Sequence, residues 1–148
     1  MARDPLQLVY EQRERQVEQA QQSYKQAQQA LFAHRGELQN LNQYRSQYIS
    51  QLTEKGSQGL SISELGKYQQ FIVQIDEGIT NHQQGLVKLE YAVHAQKKLW
   101  LESQVKCKAM AMLLDKKAMA KVKEEDLKEQ KLLDEFATFQ FFKKGSSL

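Results

Sequence analysis

The chain has 148 residues, a net charge of +3, and a single proline, Pro5, with none from residue 6 to the end. Hydrophobic residues make up 41%, and 23 residues are glutamine, a composition near the low end for a globular core yet too apolar for a disordered chain. Multi-strand β folds are disfavoured because they need a turn every 8–12 residues or so. A lone Cys107 excludes a disulfide scaffold. No apolar run reaches the ~18 residues of a membrane span.

Asp4-Pro5 reads as a helix start, since Asp accepts from free backbone N–H groups and Pro fits the first helical position. A heptad follows, with a-positions Tyr10, Val17, Tyr24, Leu31, Leu38, Arg45 and Leu52. Its d-positions are Leu6, Arg13, Ala20, Ala27, His34, Leu41 and Tyr48. Gln, Glu, Arg and Asn fill the intervals, so the apolar stripe is as narrow as a coiled-coil seam. The pattern breaks at Lys55-Gly56-Ser57-Gln58-Gly59-Leu60. Ser61-Ile62-Ser63-Glu64 then has capping-box spacing.

A second heptad takes a and d from Leu65, Tyr68, Ile72, Ile75, Ile79, His82, Leu86, Leu89, Val93, Gln96, Trp100, Ser103, Cys107, Met110 and Leu114. Beyond Leu114 the phase shifts, as a stutter would shift it. The expectation is all-α: an antiparallel coiled-coil hairpin with unequal arms. Helix 1 covers about 4–55, the turn 56–60, helix 2 about 61–142 and a disordered tail 143–148, all one domain. Asp4 should lie opposite residues 110–116. The helix beyond has no intramolecular partner, and the overhang's Met110, Met112, Leu113, Leu114, Met119, Val122, Leu127, Leu132, Leu133, Phe136, Phe139, Phe141 and Phe142 form an apolar surface for interaction or self-association.

No catalytic or metal motif is visible. His34, His82 and His94 form no H-x-x-x-H pair, and Cys107 has no second thiolate. Gly59 and Gly66-Lys67 have the wrong spacing for a phosphate loop, and Tyr68 stands where Ser or Thr should bind magnesium. Neither an enzyme, nor a cofactor, nor a small-molecule ligand is expected. His34 and His82 both fall at d, which reads as a polar layer fixing register, with Arg45, Gln96 and Ser103. Four glycines lie inside helices, at 36, 66, 78 and 85, for close approach of the partner helix or of another protein. Residues 96–148 hold 12 lysines against 8 acids. Without arginine or interleaved aromatics that is a poor nucleic-acid surface.

Tyr68-Gln69-Gln70-Phe71-Ile72 with His82 beyond it, Tyr44-Arg45-Ser46-Gln47-Tyr48, and Leu133-Asp134-Glu135-Phe136-Ala137 together resemble the FliJ family of flagellar export proteins. The resemblance spans essentially the whole chain. It implies a non-enzymatic part of the flagellar type III export apparatus, cytoplasmic and peripherally associated with the membrane at the flagellar base. Its implied partners are the hexameric export ATPase, the cytoplasmic domain of the export gate, and export-substrate chaperones. The family's gate-contact stripe maps to Phe71, Ile75, Gly78 and His82, whose spacing of 4, 3 and 4 places them on one helical face. Gly78 stands where alanine is expected. The ATPase contact is expected near the termini, with positive charge from Arg13, Arg15, Lys106, Lys108 and Lys121. The alternatives are a general coiled-coil chaperone using the Met- and Phe-rich end, and a structural homodimer. Prefoldin-like chaperones insert β-hairpins between their helices, and residues 55–63 are too short for that.

Overall fold

A computed structural model describes residues 4–146. It consists of two helices, α1 (Pro5–Gln58) and α2 (Ile62–Ser146), packed antiparallel as a coiled-coil hairpin with α2 the longer. No helix among the described residues is long and apolar enough to cross a membrane.

Local chemistry sets the helix ends. The Asp4 carboxylate accepts from the Leu6 amide at 3.0 Å, as a residue capping α1 should. At the turn, Gly59 takes φ +99°, the left-handed conformation that terminates helices and that a side chain would strain. Helix α1 therefore runs three residues past its expected end. Gly56 and Ser57 stay helical, and Ser57 Oγ donates to the Glu54 carbonyl at 2.6 Å. Helix α2 opens on Ser61, whose Oγ accepts from the Glu64 amide at 3.2 Å. It continues to Ser146, beyond the expected 142, and residues 147–148 lie outside the described part.

Packing divides the hairpin into two compact parts. The first holds residues 16–103. Its buried apolar side chains are Leu31, Ile75 and Ile79. Tyr24 stacks on Trp100 with centroids 5.6 Å apart. Arg45, a charged a-residue, pairs with Asp76 of α2 through Nε at 2.5 Å, and that carboxylate raises the arginine pKa by hydrogen bonding and charge. Near the turn, Lys55 Nζ lies 5.4 Å from the Tyr68 ring centroid and its pKa is raised, first by its hydrogen bond with Tyr68.

The second part holds residues 4–15 with 104–146 of the described chain. Asp4 meets Lys117 Nζ at 2.6 Å, one residue past the expected register. The Asp4 carboxyl is held below its ordinary pKa by the Lys117 hydrogen bond first and the Leu6 amide second. After Leu114 the half-burial of α2 is interrupted: residues 115–139 are exposed, and Gln140 is half-buried again.

Candidate functional site

The four stripe residues of α2 do not share one environment. Phe71 is half-buried, its ring 4.6 Å from that of Tyr48 and 6.1 Å edge-on from that of Tyr44. Tyr48 also meets Tyr68 at 5.0 Å, so four aromatic rings cluster near the turn. Heptad reasoning places Phe71 beside the seam; the tyrosines four apart on α1 reach across and cover one side of its ring. Ile75 is 6% exposed and belongs to the core. It supports the face from beneath. Gly78 is half-buried, with nothing within 4 Å of where a Cβ would stand.

His82 lies one heptad beyond Ile75. Its ring is 4.7 Å from the His34 ring, so the two d-histidines do meet. His34 Nε2 donates to the His82 carbonyl at 2.7 Å, since a carbonyl oxygen can only accept. His82 Nδ1 is buried without a hydrogen-bond partner, and the nearest acid is Glu37, with Oε2 3.9 Å away. Gly85 permits this arrangement: a Cβ there would stand 3.1 Å from His34 Cε1 and Nε2. Close approach thus explains one of the four interior glycines, Gly85. Gly85→Ala is expected to stabilise the hairpin less than Gly78→Ala. Both gain up to about 1 kcal/mol of helix propensity, but only Gly85→Ala pushes against a ring. Thermal unfolding of the two variants checks this, and equal midpoints would contradict it.

The five basic residues near the termini all fall in the part built from residues 4–15 and 104–146. Arg13 is half-buried at its d-position, whereas Arg15, Lys106, Lys108 and Lys121 are exposed. Below them the last turns of α2 carry exposed Leu132, Leu133, Phe136, Phe139, Phe141 and Phe142. Glu124 and Lys128, four apart, pair at 3.5 Å on the exposed helix.

Sequence reasoning misses Glu37 and Tyr48 as neighbours of the stripe. A signal exists for both. Glu37 follows His34 by three positions, which is one side of a helix, and Tyr48 is the d-residue that faces the start of α2.

An antiparallel hairpin with a polar layer in its seam and an exposed apolar extension belongs to the class of two-helix coiled-coil proteins. The description "Flagellar FliJ protein" fits residues 1–146. The Flagellar FliJ proteins of Escherichia coli (strain K12) and Salmonella typhi are each 30% identical over 101 residues, covering 68% of this chain and 69% of theirs. The chain belongs to the flagellar FliJ family.

Proposed function

We propose that this chain is a non-enzymatic component of the flagellar type III export apparatus, touching the export gate through the turn-proximal face of α2 and the export ATPase through the parts near its termini. The observation that carries the reading is the family match over residues 1–146. Membership gives the system. The distribution of exposed groups supports the two sites. At the gate face, Phe71 keeps part of its ring open beside Gly78, which leaves the backbone accessible to another chain. At the other site, lysines and an uncovered apolar helix suit a partner with acidic and apolar surfaces. ATP chemistry belongs to the ATPase, and this chain acts by binding its conformational states unequally. It works in the cytoplasm, at the membrane surface where the gate is, and also receives chaperones carrying export substrates.

Phe71→Ala tests the gate face. Its expected effect is a weakening of binding to the gate's cytoplasmic domain by about tenfold or more, the consequence of losing a central aromatic anchor, with helicity unchanged. Calorimetric titration measures it, and unaltered affinity removes the face from the proposal.

A chaperone for apolar clients is the second reading, supported by the exposed Met119 and the phenylalanines of the last turns. It predicts suppression of aggregation of unrelated unfolded proteins.

A further inference from the structure

The layer formed by His34, Glu37 and His82 has a chemistry that register alone does not require. Each of the three residues offers one ligand atom, and those atoms all lie within 4.8 Å of one another. This is the only such group among the described residues. Its members come from both helices, with His34 and Glu37 on α1 and His82 on α2. We propose that it is a divalent transition-metal site, with zinc as the ion of choice, that clips α1 to α2.

The donor set argues for the class of ion. Two imidazoles and one carboxylate suit zinc and its neighbours, whereas magnesium and calcium take oxygen ligands almost exclusively. Three protein ligands leave a fourth tetrahedral position for water or a donor from another molecule.

Three independent features support the geometry. His82 Nδ1 is withdrawn from solvent with no hydrogen-bond partner, an arrangement that costs stability unless something occupies its lone pair or its proton. Glu37 Oε2 stands 3.9 Å from that nitrogen, too far for a hydrogen bond and close to the spacing of two donors sharing one metal. Zinc bonds of about 2.0–2.2 Å place neighbouring donors roughly 3–4 Å apart, a range that the His82–Glu37 pair already meets. Finally, Gly85 leaves the room in which the His34 ring approaches α2.

Binding uses lone pairs that neutral imidazole and carboxylate already carry. Neutral imidazole supplies a lone pair, so a histidine that holds the ion through one ring nitrogen keeps its proton on the other. The Glu37 carboxylate brings one negative charge, leaving the bound ion at a net +1. The two helices are then joined across 48 residues of chain, counted from His34 to His82. The ion favours the folded hairpin by mass action.

The test uses the full-length chain without a histidine tag and zinc chloride as the only ligand. It therefore stands apart from the gate reading, which can fail or succeed without it. Isothermal titration is expected to show one saturable zinc per chain, accompanied by a rise in the thermal midpoint. His34→Gln and His82→Gln should each weaken binding by at least about tenfold. Glu37→Gln, at an exposed position where misfolding is not a concern, should weaken it as well, and Cys107→Ser should leave it intact. Absence of saturable binding overturns the site. So does binding that survives both histidine substitutions, or that is lost with Cys107→Ser.

Discussion

Ile79→Ala and Leu31→Ala are expected to destabilise the hairpin alike, and more than any other single truncation outside the proposed contact faces. Ile79 is 8% exposed, and among the described residues only Leu31 and Ile75 are comparably buried apolar residues. Large-to-small changes at such positions cost about 2–4 kcal/mol, from lost transfer energy and the cavity left behind. A globular domain spreads that loss over many buried neighbours. A two-helix seam cannot, because each core residue has helix on one side and water close by on the others. With net stabilities of roughly 5–15 kcal/mol for a folded domain, one methylene-rich side chain is a large share. Thermal or urea unfolding followed by circular dichroism measures the loss. Phe141→Ala is the control: it removes a larger side chain that is 75% exposed, and should change stability by no more than about 0.5 kcal/mol. If Ile79→Ala and this control unfold alike, the core has been placed wrongly.

Deleting residues 120–148 should separate folding from function more sharply still. The deleted stretch contains only exposed side chains from 120 to 139. Its apolar residues give the hairpin nothing to lose, so residues 4–119 should melt at an unchanged midpoint. Stimulation of the cognate export ATPase, in contrast, should disappear, since the deletion removes Lys121 and the phenylalanine-rich last turns together. Steady-state ATP hydrolysis with increasing amounts of the truncated chain reads this directly. Stimulation that survives places the ATPase contact elsewhere. A fall in melting temperature would show that the extension does support the hairpin.

The seam was the most legible part of this molecule. All fourteen a and d positions assigned to α1 are buried or half-buried, including Arg13, Arg45 and His34. On α2 only Leu65 departs, at 39% exposed. The last turn of α1, Lys55 to Gln58, offers it no apolar side chain. Hydrophobic period carries this information because burial in a two-helix coil is decided by angle around each helix. Axial position is decided differently, by which pairs come level, and here the sequence is nearly silent. Register could be set only to about one turn. Arg45 was visible as a polar seam residue, yet its partner Asp76 was not, because Asp76 lies outside the α2 a/d set and becomes adjacent only at one register. The tyrosines against Phe71 and Glu37 beside His82 depend on register in the same way, although the spacing on α1 carries a signal for Tyr48 and Glu37. The candidate site was therefore legible as a face of α2 and illegible as a set of contacts with α1.

The exposed end of α2 has a circumferential property. At about 100° per residue, Met119, Val122 and Leu133 point one way, Leu127 and Phe141 another, and Leu132, Phe136 and Phe139 a third. A docking helix that lies on a flat surface concentrates its apolar groups in one stripe. Here they encircle the axis. A single planar partner could cover at most one of the three sides and would leave the other two in water. Drying this helix completely takes a surface that closes around it, and no flat one does so.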